Sequence, residues 1–350
     1  MKKILSIVLA LALVLGLSAT AFAADKVGVA MPTQSLQRWN QDGENMKKQL
    51  EAAGYEVDLQ FANNEVALQV TQLEQMLLGG AKVLVVASID GLALGTVLAQ
   101  AQEAGVPVIA YDRLIMQSPA VSYYATFDNY KVGVIQGQYI VDKLDLANGA
   151  GPFNIELTGG SPDDNNARFF FQGAWDTMKP YIDSGMLVIP SGQTEFEQIA
   201  TMNWDPANSQ SRMDNIITTY YSDGTKLDAV MCSNDSTAQG VTTALANAGF
   251  EEFPIITGQD CDITSMKNMI AGKQSMSVFK DTRDLAEKVV GMVNAIMKGS
   301  EPEINDTKTY DNGTGYIVPT YLCDPVFADL SNYESLLIDS GYYTADQLAE

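Results

Sequence analysis

The sequence predicts an α/β protein made of two doubly wound parallel-sheet lobes. Three observations lead there. Short β-branched apolar runs alternate with amphipathic segments of helical period, the pattern of parallel strands joined by crossover helices. The alternation runs through residue 110 and then, after a strand and a helix, starts again at 153. A chain of 350 residues is also longer than one ordinary hydrophobic core organises.

Residues 27–31 read as a strand, 43–53 as part of a helix ended by Gly54, and 57–61 as the next strand. Val66, Val70, Leu73 and Leu77 fall at i, i+4, i+7 and i+11, one helical face. The run KVLVVA at 82–87 is apolar throughout, as a strand covered on both faces should be. A helix at 93–104 and a strand at 106–110 close the first series, with right-handed crossovers between strands. A strand at 122–126 and an amphipathic segment at 129–144 lead onward. The second series has strands at 153–157, 186–189, 227–232 and 253–257, with helices at 166–179, 209–221 and 236–248. Beyond it, 263–271 and 281–297 read as helices around a short strand at 275–279. Residues 307–318 look extended, and the segment from 336 onward is weakly helical. No low-complexity linker stands between the two series, so tight crossings should join them.

Residues 1–23 have the form of a secretory signal peptide: Lys2 and Lys3, an almost wholly apolar stretch at 4–17, and Ala21-Phe22-Ala23 as an A-x-A cleavage site. A membrane anchor is the rival reading, opposed by the small residues after the apolar core. No cysteine stands at the cleavage site to take a lipid. Cleavage would leave 327 residues (350 less 23) and, without Lys2 and Lys3, move the formal charge from −22 to −24. Such a surface repels nucleic acid and suits a neutral or cationic ligand. Cys232, Cys261 and Cys323 could form one disulfide, with the pair undetermined, or remain buried thiols. The sequence holds no histidine. That excludes Ser-His-Asp and Cys-His catalysis and His-ligated metal sites, while carboxylate-pair hydrolysis stays open.

Ligands of open parallel sheets bind outside the carboxyl ends of the strands, so the residues there carry the chemical signal. They are Arg38-Trp39, Ser88-Ile89-Asp90-Gly91 and Asp112-Arg113 in the first series. In the second they are the run from Gly159 to Asn166, Ser233-Asn234-Asp235 and Gly258-Gln259-Asp260, with Lys280 after the short strand. Carboxylates matched by guanidinium, ammonium and amide donors can satisfy a sugar hydroxyl, which donates and accepts at once. Indole or phenyl rings suit the C–H face of a pyranose, and Trp39, Trp204, Phe169, Phe170 and Phe171 are candidates. Each piece also has a structural reading. Asp163, Asp164 and Asn234 precede helices and can cap them, Asp112-Arg113 can be an ion pair, and three consecutive phenylalanines on a helix cannot all face a ligand.

Residues 25–350 resemble the periplasmic sugar-binding proteins of ABC importers, in the xylose-binding and multiple-monosaccharide-binding branch. The resemblance rests on Arg38-Trp39, Ala110-Tyr111-Asp112-Arg113-Leu114-Ile115, Gly159-Gly160-Ser161-Pro162 with Asp164-Asn165-Asn166, Ser233-Asn234-Asp235, Gly258-Gln259-Asp260, and Phe279-Lys280 leading into Asp281-Thr282-Arg283. Asn305 to Tyr310 looks more like the multiple-sugar member. The resemblance implies a type I periplasmic binding protein fold, with two Rossmann-like lobes joined by a three-crossing hinge. It implies an N-terminal lobe of 24–131 plus 263–306 and a C-terminal lobe of 132–262 plus 307–350. The crossings would lie near 126–132, 260–264 and 305–310. It implies that Arg38, Asp112, Arg113, Asn166, Asn234, Asp260 and Lys280 hydrogen-bond a monosaccharide, with Trp39, Trp204, Phe170 and Phe171 as aromatic walls. No catalytic residue, cofactor or metal is expected. The implied partners are the sugar, the membrane permease of an ABC importer and, as for some relatives, a membrane sensor; the chain would be a periplasmic monomer. Two rivals remain: a secreted carboxylate-dependent glycosidase, and the effector domain of a sugar-responsive repressor, which would need a basic DNA-binding headpiece.

Overall fold

The computed structural model describes residues 24–349; the signal-peptide expectation at 1–23 lies outside the described residues. The first series forms β1 (Lys26–Met31), α1 (Gln37–Ala52), β2 (Glu56–Phe61), α2 (Val66–Leu78), β3 (Val83–Val86), α3 (Gly95–Glu103), β4 (Val108–Tyr111) and β5 (Val121–Phe127). Next come α4 (Asn129–Lys143), β6 (Phe153–Thr158), α5 (Asn165–Asp183), β7 (Leu187–Val188), α6 (Pro206–Tyr220) and β8 (Ala229–Cys232). The chain continues through α7 (Asp235–Asn247), β9 (Ile255–Ile256), α8 (Ile263–Ile270), β10 (Ser277–Phe279), α9 (Thr282–Met297), β11 (Thr320–Cys323) and β12 (Val326–Ala328).

Two sheets result. The first has strand order β11-β5-β4-β3-β1-β2, every pair parallel. In its central strands successive side chains alternate between two cores. Val27, Val29, Val83 and Val85 face α1 and α9, while Ala30, Leu84 and Val86 face α2 and α3. Burial of each such valine or leucine contributes roughly 1.5–3 kcal/mol, and both faces are covered as the unbroken apolar runs require. The second sheet has the order β7-β6-β8-β9, again parallel. A parallel bridge from Gln259 to Val278 carries it on to β10, which pairs antiparallel with β12. Helices α4 and α5 pack backbone to backbone. A Cβ at Gly133 would collide with the Phe170 carbonyl, and one at Gly173 with that of Tyr130. This contact fixes the helix that carries Asn166 and Phe170.

The expected lobe boundaries need correction. Met266 and Met269 of α8 pack with Cys261, Phe279 and Leu337, and β10 extends the second sheet, so 263–281 belong with the second lobe. Conversely, β11 pairs with β5 and Asn305 and Asp306 bond the backbone of Thr320, so 305–323 belong with the first. The chain passes between the lobes at 127–129, 279–282 and 323–326, and the last two crossings replace those expected near 260–264 and 305–310. Strands of three or four residues carry too little periodicity to announce which sheet they join. Residues 307–318, expected as extended, carry only the isolated Asp311–Ile317 bridge. The three thiols are unpaired, and those of Cys232 and Cys261 are buried.

Candidate functional site

Between the carboxyl ends of the two sheets lies a pocket of about 420 Å³ of atom-free space, counted out to its mouth. Its walls include Arg38, Trp39, Asp112 and Arg113 from the first lobe. Asn166, Phe170, Trp204, Asn234 and Asp260 come from the second, with Lys280 at a crossing. Ten of the eleven residues singled out from sequence therefore meet here. Phe171 does not. Its ring stacks on Trp175 at 5.8 Å and packs against Phe196 at 5.9 Å, because one step along α5 turns it about 100° from Phe170.

Asp112 is the pivot. It follows β4 with φ of 58°, a left-handed conformation that asparagine and aspartate tolerate better than most residues. The neighbours hold it there. Its N–H donates to the Ala125 carbonyl at 2.8 Å, and its own carbonyl accepts from Thr126 Oγ1 at 2.8 Å and Asn166 Nδ2 at 2.6 Å. The Tyr124 hydroxyl lies 2.7 Å from that carbonyl and 3.0 Å from Asn166 Oδ1. Asn166 thus lines the pocket, but its amide is engaged across the lobes on the Asp112 backbone.

The carboxylates and cations form one cluster. Arg38 donates from Nε to Asp42 at 2.9 Å, from Nη2 to Asp112 at 2.5 Å and from Nη1 to Asp260 at 3.2 Å. Lys280 Nζ lies 3.2 Å from Asp260 and 3.8 Å from Asp112, and sits near the rings of Phe127 and Phe170. Burial opposes the charge on Asp112, but Arg38, Lys280 and Arg113 together hold its carboxyl below the ordinary range. Asp42 is the reverse case. Burial outweighs Arg38 and the hydroxyl donated by Tyr111, and pushes its carboxyl up to about 6.

Arg113 donates from Nη1 to the Ser88 carbonyl at 3.0 Å. Its Nε lies 2.9 Å from Asp164 Oδ2 but is misaligned for a hydrogen bond, so that contact is ionic rather than directed. Asp164 caps α5 by accepting from the Asn166 N–H at 2.9 Å, and also accepts from Trp204 Nε1 at 3.2 Å. Burial raises its pKa, with Arg113 pulling the other way. Asn234 caps α7 by accepting from the Thr237 N–H at 3.0 Å, and its amide donates to Ser236 Oγ at 2.9 Å. The ring of Trp39 is flanked by the guanidiniums of Arg38 at 5.2 Å and Arg113 at 4.9 Å. Trp204 meets Phe170 edge-on at 6.2 Å and lies against Gly160, where any Cβ would strike the indole.

Sequence reasoning missed Asp42, Tyr111, Tyr124 and Asp262. The spacing of Asp42 four residues after Arg38 on a helix was a visible sign of an i, i+4 pair. Tyr124 lay inside a run read only as strand, and Tyr111 was named in a motif without a role of its own. Asp164 was read as a cap; it is that, and a wall of the pocket too.

Two parallel-sheet lobes closed around a buried polar pocket of paired carboxylates and cations define a ligand receptor of the type I periplasmic binding class. The chain belongs to the periplasmic binding protein family, whose domain model matches residues 27–301. The multiple sugar-binding periplasmic receptor ChvE of Rhizobium radiobacter is 53% identical over 355 residues, covering 99% of this chain and 100% of that one. The D-xylose-binding periplasmic protein of Escherichia coli K12 is 34% identical over 323 residues, covering 92% of each. Among solved structures, an ABC transporter solute binding protein from Clostridium phytofermentans with bound β-D-glucose is 65% identical with a TM-score of 0.91. It covers 93% of this chain and all of that one. The relatives are those of the branch its motifs resemble, and they are binding proteins.

Proposed function

We propose that this protein is an exported receptor that captures one neutral aldopyranose between its lobes and delivers it to the membrane permease of an ABC importer. The observation that carries the reading is the cluster in which Arg38 and Lys280 meet Asp112 and Asp260 from both lobes. Sugar hydroxyls can take over those donors and acceptors without adding net charge to a buried site. Each lobe alone satisfies only part of a ring, so ligand favours the closed state and shifts the population toward it, with the three crossings as hinge. The names of the relatives, which point to multiple sugars, xylose or glucose as ligands, support the same class. The site residues are Arg38, Asp112, Arg113, Asn166, Asn234, Asp260 and Lys280 as hydrogen-bonding groups, with Trp39, Phe170 and Trp204 as walls. The protein works as a monomer, without a cofactor and without turning its ligand over; a membrane sensor is a second client.

Titration of tryptophan fluorescence with glucose, galactose, xylose, arabinose and fucose tests this directly, since Trp39 and Trp204 line the pocket. At least one aldose should give a saturable change at one site per chain. No response to any of the five overturns the reading, and release of the aglycone from aryl glycosides would replace it with a glycosidase.

A further inference from the structure

Helix α1 carries a second polar face besides the one that brings Arg38 to the pocket. Gln37, Gln41 and Asn45 stand at i, i+4 and i+8, a single helical stripe. All three are half-buried, while Trp39, Met46 and Leu50 of the same helix belong to the first lobe's core. Asn45 donates to Thr282 Oγ1 at 2.9 Å, beside a crossing. Gln37 and Gln41 reach across to the other lobe.

The Gln37 amide is engaged at both ends, each time with the second lobe. Its Oε1 accepts from the Ile263 N–H at 3.0 Å, and its Nε2 donates to the Tyr343 hydroxyl at 2.7 Å. Gln41 Nε2 donates to the same hydroxyl at 3.0 Å, and that hydroxyl donates in turn to the Cys261 carbonyl at 2.9 Å. Tyr343 is anchored in the second lobe's core with Cys261, Met266, Phe279 and Leu337. Ile263 opens α8, where an N–H finds no acceptor in its own helix, and Asp262 before it makes no side-chain cap. The first lobe thus completes a helix start of the second. All these bonds join neutral groups, and none of Gln37, Gln41, Ile263 and Tyr343 lines the deep pocket. Such bonds exchange readily for water when two half-buried surfaces part, so each adds only a modest net stabilisation.

We propose that Gln37, Gln41 and Tyr343 form a clasp that favours the closed arrangement of the lobes and so sets the affinity for sugar without touching it. They are positioning residues, and their role rests on the sugar-capture reading of the deep pocket. Apparent affinity is the intrinsic affinity reduced by the fraction of molecules competent to bind. Loosening the clasp lowers that fraction alike for every ligand. A pocket residue, which meets particular hydroxyls, changes different sugars unequally.

Calorimetry and stopped-flow fluorescence on the full chain test it, with glucose, galactose, xylose, arabinose and fucose as ligands. Tyr343→Phe keeps the ring in its core and removes the hydroxyl. Gln37→Ala breaks the clasp from the other lobe and leaves the bond from Tyr343 to Cys261 in place. Each variant should weaken every aldose that the unaltered chain binds by the same factor, about fivefold, through faster dissociation. At saturating sugar the radius of gyration from X-ray scattering should match that of the unaltered chain, because the closed form is still reached. Affinities within twofold of the original in either variant overturn the clasp. So does a loss that differs from sugar to sugar, which would place the effect in the pocket, or an expanded sugar-saturated form, which would mean damage to the fold. If the unaltered chain binds none of the five, the sugar reading falls and the clasp with it.

Discussion

The two lobes furnish the cleft in different ways. On the first, the polar side chains hold one another: Arg38 alone bonds Asp42, Asp112 and, across the cleft, Asp260. On the second they hold helix ends, with Asp164 capping α5 and Asn234 capping α7. Ion pairs can hand donors to an incoming hydroxyl and take them back. A cap surrendered to a ligand leaves backbone N–H groups unpaired at a helix start. The first lobe therefore supplies most of the exchangeable hydrogen bonding and the Trp39 wall, and the second supplies the rigid frame and the walls of Phe170 and Trp204.

The largest test of that contrast is Asp112→Asn. Asparagine keeps the shape and tolerates the left-handed φ of 58°, so the change isolates charge. Arg38 and Lys280 lose a shared carboxylate in a buried site, and removal of one partner from such a pair costs about 2–5 kcal/mol of binding. Aldose affinity measured by calorimetry should fall at least thirtyfold. An affinity within threefold of the original would remove Asp112 from the exchangeable set.

A smaller effect separates Asp42 from Asp112 inside the same cluster. Asp42 is pushed up to about 6 when folded, against an unfolded value near 3.9. Between about pH 4 and 6 the folded chain keeps a proton there that the unfolded chain has released. Its contribution to stability is thus fully present below 4 and declines as pH rises through 6. Asp112, held low, acts with the opposite sign, losing its contribution as pH falls below the ordinary carboxylate value. The stability of the unaltered protein relative to Asp42→Asn should therefore grow on acidification from pH 7 to 4, by on the order of 2 kcal/mol. Urea unfolding at the two pH values measures it, and a difference that does not change would mean Asp42 is ionised throughout.

How much of this was legible depends on where each signal is stored. Strand-end positions are a property of topology, so the residues just past each apolar run already gathered Arg38, Asp112, Asn234, Asp260 and Lys280. The allocation of 263–281 and 305–323 was not legible in the same way. It depends on the Gln259–Val278 bridge and on β11 joining β5, non-local pairings between segments too short to show a period. Asp42, Tyr111 and Tyr124 escaped for a related reason. Their role is to bond side chains brought together only by the folded sheet, while locally they look like helix surface and strand core.

The smallest predicted effect concerns two adjacent phenylalanines on α5. Phe170 faces the cleft, 5.6 Å from the Lys280 ammonium and edge-on to Trp204. Phe171 faces the second lobe's own core, stacked on Trp175. Leucine at either position keeps a large apolar side chain, so both variants should fold, each with a modest loss from imperfect packing. At 170 the substitution also removes a ring face beside a buried ammonium and one edge of the aromatic wall, interactions of about 0.5–1.5 kcal/mol each, and aldose affinity should drop measurably. At 171 affinity should stay within about 0.5 kcal/mol of the original, because nothing that touches the cleft has changed. Paired calorimetric titrations of Phe170→Leu and Phe171→Leu read the difference. Equal losses would mean that α5 transmits packing changes to the cleft whichever face they fall on, and that the second lobe is less rigid a frame than its caps and its glycine-to-backbone contact with α4 imply.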